Sequence, residues 1–184
     1  MSDAPHPRPQ HTRLHVLLAV AVAALVILAD QLSKLAVLDV LGPNGERTVI
    51  PIVPGLLRLI YVQNTGAAFG MFQGRSPVIL VLAVAVIIFL LYYFRAAIAA
   101  SRWLALALGL QIGGAIGNMI DRLNHGFVVD FINVPHWPTF NLADSAITVG
   151  VIMLAIYLIL HDAPRAADDA PAAVSSQPEA QERP

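Results

Sequence analysis

Four long apolar runs set the terms for any fold this chain can adopt. They are "LHVLLAVAVAALVILA" (14–29, continuing through Asp30 towards Leu41), "VILVLAVAVIIFLLYYF" (78–94), "WLALALGLQIGGAIGNMI" (103–120) and "AITVGVIMLAIYLIL" (146–160). Each approaches the roughly 20 residues with which an α-helix crosses a bilayer, once polar residues near its ends are counted. Lipid supplies no hydrogen bonds, so a crossing segment must satisfy its own backbone, as a helix does. With 57% hydrophobic and 12% charged residues and a mean hydropathy of +0.69, the chain lies well outside the average soluble domain. The expected fold class is an all-α integral membrane protein. Its four transmembrane helices are expected at about 14–38, 77–95, 102–123 and 141–161, with outer loops at about 39–76 and 124–140.

The first run follows Arg13 and is studded with alanine, as a secretory signal peptide is, but it is long and leads straight into "DQLSKLAVLDV". A retained first helix is expected. The segments 1–13 and 162–184, rich in Pro and His or in Ala, Pro, Asp and Glu, hold too little apolar surface to fold and are expected to be disordered tails around a domain at 14–161. His6 and His11 in the first of these, and His15 just beyond it, are dispersed and read as solvated. Basic residues set the orientation. Arg8, Arg13, Arg95, Arg102, Arg165 and Arg183 flank one side, against Arg47, Arg58, Arg75 and Arg122 on the other, a bias that favours cytoplasmic termini. A net charge of −1 and a pI near 6.6 offer no basic face for nucleic acid. The absence of cysteine excludes disulfides, thiolate nucleophiles and Cys-type metal sites.

The first outer loop has structure of its own. In "RTVIPIVPGLLRLIYVQNTG" (47–66) two β-branched, apolar stretches flank Pro54-Gly55, which predicts a hairpin and a small extracytoplasmic sheet. After it, "NTGAAFGMF" (64–72) predicts a turn and a short interfacial helix that covers a site beneath it.

Polar residues inside the spans need reasons. Asp30 and Lys34 have the spacing of a favourable pair on one helix face, and mutual neutralisation accounts for both. Ala105, Gly109, Gly113 and Gly117 form a ridge of small residues for close helix contact. The same spacing reaches Asp121, beside the second four-residue pair of Asn118 and Arg122. Arg122 points away from Asp121, and reads either as an interfacial arginine that snorkels or as a fork for carbonyl or phosphate oxygens.

The two acids in "VVDFINVPHWPTFNLADSAI" (128–147) have separate ordinary explanations: a turn for Asp130, and for Asp144 an N-cap at the start of the last span. If the segment is extended, Asp130 shares a face with Ile132 and Val134, an apolar setting that raises a carboxyl pKa. Pro135 and Pro138 can reverse the chain and bring the carboxylates together, where two close carboxyls share one proton and supply both an acid and a base. His125 and His136 lie nearby without a convincing third metal ligand.

The blocks "DQLSK" (30–34), "NTGAAFG" (64–70), "GGAIGNMIDRL" (113–123), "VVDF" (128–131) and "FNLADSAI" (140–147), in this order, resemble the lipoprotein signal peptidases (signal peptidase II) of bacteria. The resemblance covers nearly everything between the tails. It implies a four-helix aspartyl endopeptidase of the bacterial inner membrane, which cuts signal peptides from diacylglyceryl-modified prolipoproteins just before the lipid-bearing cysteine. It further implies a catalytic pair at Asp130 and Asp144, substrate contacts from Asn64, Gly66, Asn118, Arg122 and Asn141, and structural support from Asp30, Lys34 and Asp121. Prolipoprotein and membrane lipid are the implied partners, the monomer the expected unit, and the periplasmic face the expected side of the site. No metal or organic cofactor is implied, since water is the nucleophile. Two other classes compete: a small proton-linked transporter or channel using the intramembrane charges as a relay, and a purely structural subunit, which leaves both aspartates unexplained.

Overall fold

A computed structural model describes residues 9–66 and 76–161. The expected interfacial helix falls mostly on 67–75, and the C-terminal tail on 162–184, outside the described residues. Four helices carry the apolar runs: α1 (Pro9–Leu41), α2 (Ser76–Ala100), α3 (Arg102–His125) and α4 (Leu142–His161). All four are long and apolar enough to cross a membrane. The first begins at Pro9 rather than near residue 14, so part of the expected N-terminal tail is helical. Proline is at home there, because its missing N–H is one that a helix start leaves unpaired anyway. Gly42 and Pro43 end the helix just past Leu41.

The third helix is central. Half of its apolar stretch is buried, whereas the other three bury only 6% to 11% of theirs. Its small residues explain the difference. A Cβ on Gly109 would lie 2.7 Å from the Ala19 carbonyl oxygen, and one on Gly113 would lie 2.8 Å from that of Ala23, so both permit backbone contact with α1. Gly114 plays the same part towards Ala143 and Ile147 of α4. At one end of the bundle Leu90, Phe94, Ala105 and Leu108 close the packing between α2 and α3.

The other end carries a sheet. Strands β1 (Val49–Val53) and β2 (Leu57–Asn64) form the expected hairpin about Pro54-Gly55, with Gly55 at φ +77°, a conformation that glycine adopts at little cost. The link between α3 and α4 adds β3 (Val128–Asn133), antiparallel to β2, giving the order β1-β2-β3. Val129 and Phe131 pack on Val37 and Leu41, which seats the sheet on the end of α1.

Ile132 packs towards the Val37 cluster and bridges to Phe140, while Asp130 lines a cavity. Between Leu59 and Val62 the β2–β3 ladder carries one extra residue in β2, a bulge opposite the Asp130–Ile132 step.

Candidate active site

Asp130 and Asp144 line one cavity of about 800 Å³ between the sheet, the ends of α3 and α4, and the 137–140 turn. Two chain features aim them there. Gly126, at φ +78°, ends α3 in the left-handed conformation and accepts the turn into β3, its N–H donating to the Arg122 carbonyl. Asn141 then starts α4. Its side-chain oxygen accepts the Asp144 N–H at 3.0 Å, and Asp144 Oδ2 accepts the Asn141 N–H at 3.2 Å. This is a reciprocal capping box. Asn141 is therefore the N-cap, and Asp144 sits one turn inside as its partner, which corrects the reading of Asp144 as the cap itself.

Each carboxylate oxygen of the pair has an amide donor. Asp130 Oδ1 accepts from the Asn141 amide at 2.8 Å, and Oδ2 from the Asn64 amide at 2.9 Å. Asp144 Oδ1 accepts from the Asn118 amide at 2.7 Å, and Oδ2 from the Asn141 backbone as described. Asn141 thus touches both acids, so the 128–147 stretch does bring them together. Asp130 is 1% exposed, and its pKa is pushed up to about 7. Desolvation is the main cause and the charge of Asp144 adds to it, while the amides of Asn64 and Asn141 and the charge of Lys34 pull the other way.

The remaining expected residues divide between the cavity wall and its support. Asn64, Gly66, Asn118 and Arg122 line the cavity. Asn141 does not; it is fully buried behind the acids and offers its two amide N–H groups to Asp130, Asn118 and the Val129 carbonyl. Its contacts are with the pair itself. Arg122 forks towards carbonyls: it donates to Gly66 O at 3.0 Å and Asn118 O at 3.3 Å, and its buried Nε has no partner among the described residues. Asp30 and Lys34 are paired at 2.8 Å, as their spacing predicts. That pair is only part of the arrangement, since Lys34 also meets Asp121 at 3.0 Å and the Asn118 side-chain oxygen at 3.0 Å.

Several contributors escaped sequence reasoning. Gln31 donates to Asp121 at 3.0 Å and to the Gly117 carbonyl at 3.2 Å, and its place inside "DQLSK" was the available signal. Trp137, Phe140, Ser145, Ile147 and Thr148 complete the cavity wall, and only their closeness to the two acids marks them. His136, at φ +63°, turns the chain beside Trp137; histidine is among the residues that tolerate this conformation better than most.

The chain is similar to known proteins over most of its length. The family model described as "Signal peptidase (SPase) II" matches residues 22–160. A lipoprotein signal peptidase of Halothermothrix orenii is 45% identical over 138 residues, covering 74% of this chain and 92% of that protein. One from Syntrophomonas wolfei subsp. wolfei is 47% identical over 137 residues, covering 74% and 89%. Among solved structures, a bacterial membrane enzyme determined by the in meso method at 2.3 Å superposes with a TM-score of 0.71 at 28% identity, covering 80% of this chain and 92% of that one.

Proposed function

The chain belongs to the signal peptidase II family, a protease that removes signal peptides from prolipoproteins, and from that premise we propose that Asp130 and Asp144 are the carboxylates with which it hydrolyses the scissile peptide. One observation carries the reading: the two acids line the same cavity and are locked by the same residue, Asn141. Near neutral pH such a pair holds a single proton. The ionised carboxylate takes a proton from water as it attacks the scissile carbonyl carbon, and the protonated one donates to the carbonyl oxygen. The proton gained from water then passes to the departing amine. As the C–N bond breaks, the carboxylate that had donated to the carbonyl oxygen takes a proton back from a hydroxyl of the tetrahedral intermediate, and the pair returns to its singly protonated state.

Asn64, Gly66, Asn118 and Arg122 are the groups we assign to the substrate backbone, since they line the cavity beside the acids. The cavity sits at the end of the bundle where α3 ends and α4 begins, and its wall runs onto the exposed Thr148 and Val149 of α4. That opening suits a substrate whose diacylglyceryl chains stay in the bilayer while its peptide reaches the acids. The distribution of arginines supports cytoplasmic termini, and with them a periplasmic face for the sheet and the site.

The transporter reading is weaker. A relay needs ionisable groups through the depth of the bilayer, but among the described residues Asp30, Lys34, Asp121, Arg122 and Asp144 gather at one end. The dyad is tested with purified protein and a diacylglyceryl-modified prolipoprotein. Asp130→Asn and Asp144→Asn should each abolish cleavage while the protein stays monodisperse and helical. Cleavage by either folded variant overturns the assignment.

A further inference from the structure

One ammonium is tied to both halves of the dyad, in each case through the residue that precedes the aspartate. Lys34 is 2% exposed and donates to Asp30 Oδ2 at 2.8 Å, Asp121 Oδ2 at 3.0 Å and Asn118 Oδ1 at 3.0 Å. That employs all its N–H groups. The other oxygen of Asp30 accepts the main-chain N–H of Ala143, the residue before Asp144, at 3.0 Å. Asp121 Oδ2 accepts the main-chain N–H of Val129, the residue before Asp130, also at 3.0 Å. Asn118 completes the set by donating to Asp144 Oδ1. Elements α1, α3, β3 and α4 therefore meet at a single cation.

Neutralisation does not explain this arrangement. Asp30 alone would neutralise Lys34; adding Asp121 leaves the triad with one net negative charge, and burying three charges is poor value for stability. What the second carboxylate adds is a tether to β3, matching the one that Asp30 makes to α4.

We propose that Lys34 is a positioning residue for the dyad, fixing the main chain immediately before Asp130 and Asp144, and that its charge sets the pH range over which the shared proton is held. The proposal rests on the dyad reading above. The charged groups around Lys34 are Asp30 on its own helix and Asp121 on α3; around the dyad stand Lys34, Asp30, Asp121 and Arg122, while β2 contributes only the neutral Asn64. The charge of Lys34 favours the ionised form of Asp130 against its desolvation, in keeping with this role.

The test is steady-state cleavage by the full-length protein in nanodiscs, measured across pH. Lys34→Met should lower kcat on the order of tenfold to a hundredfold, as misplaced catalytic groups do, with KM within about twofold of wild type. Both limbs of its pH profile should move to higher pH by about half a unit to one unit, because the dyad loses a nearby positive charge. Lys34→Met/Asp121→Asn restores one net negative charge, so its limbs should return towards wild type while kcat stays low. Asp121→Asn alone removes a negative charge and should move the limbs to lower pH, which supplies the readout if Lys34→Met cannot be recovered folded. A wild-type kcat in folded Lys34→Met, or limbs that do not follow the charge of the triad across the variants, overturns the proposal. Cleavage surviving in Asp130→Asn would instead overturn the dyad, whatever the Lys34 variants do.

Discussion

Asn141 and Asp144 cap each other across the first turn of α4, and the same Asn141 side chain reaches Asp130 at 2.8 Å. One asparagine thereby carries a structural duty and a chemical one. Asn141→Ala removes an N-cap, which costs about 1 kcal/mol of stability. It also leaves one oxygen of Asp130 without its amide and the Asp144 main-chain N–H without its cap, loosening the first turn that carries the Asp144 carboxylate. We expect kcat to fall by about a hundredfold or more, with a smaller change in KM. Steady-state kinetics alongside a thermal melt checks this, and a variant that loses stability but keeps kcat would reduce Asn141 to a cap.

The elevated pKa of Asp130, about 7, predicts a bell-shaped profile of kcat/KM. The alkaline limb corresponds to loss of the shared proton and should fall near that value. The acid limb, where the pair becomes doubly protonated, should lie lower. A rate that stays flat from about pH 5 to 9 would exclude a shared proton between the two acids.

The same burial makes Asp130 a liability for stability. Its folded pKa of about 7 exceeds the ordinary 3.8, so the folded state binds more protons between those values. The stability this contributes is complete below 3.8 and is lost as pH rises through 7. Asp130→Asn cannot ionise and escapes that loss. Its melting temperature relative to wild type should therefore rise from pH 5 to pH 8, by at least about 4 °C. Melts of both proteins at the two pH values give the comparison, and an unchanged difference would mean that Asp130 is not desolvated.

Gly114 tests whether the dyad depends on close packing of α3 against α4. A Cβ there would run into the Ala143 carbonyl and lie 2.8 Å from Ile147 Cγ1, so Gly114→Ala must push back the start of α4 beside Asp144. Overpacking of this kind costs about 1–3 kcal/mol. Activity should drop with it. Gly126→Ala is the control: its φ of +78° carries a backbone penalty of about 1 kcal/mol, but an added Cβ meets nothing within 4 Å. It should lose stability and keep most of its kcat.

Much of this was legible before any tertiary contact was known. The spans were, because twenty apolar residues admit few alternatives, and so was the hairpin, because Pro54-Gly55 interrupts two β-branched stretches. Asp130 and Asp144 stood out as carboxylates with apolar neighbours. The β2–β3 pairing was not legible: strand pairing is a main-chain contact between segments far apart in the chain, with no side-chain pattern of its own. Nor was the reach of Asn141 to both acids, since a capping asparagine looks like any other in "FNLADS". The Arg122 alternatives were decided only by where the chain brings Gly66.

Residue type and spacing alone thus determined four membrane-crossing helices, a surface hairpin and a pair of acids in need of a purpose, because hydrophobic length and turn chemistry are local properties. The tertiary structure decided that Asp130 rides on a third strand, that Asn141 is buried with its amide on Asp130, and that Lys34 meets Asp30 and Asp121 at once. Those are matters of backbone position. The N–H groups of Val129 and Ala143 carry no signature in the sequence, and only the packed fold brings them to Asp121 and Asp30.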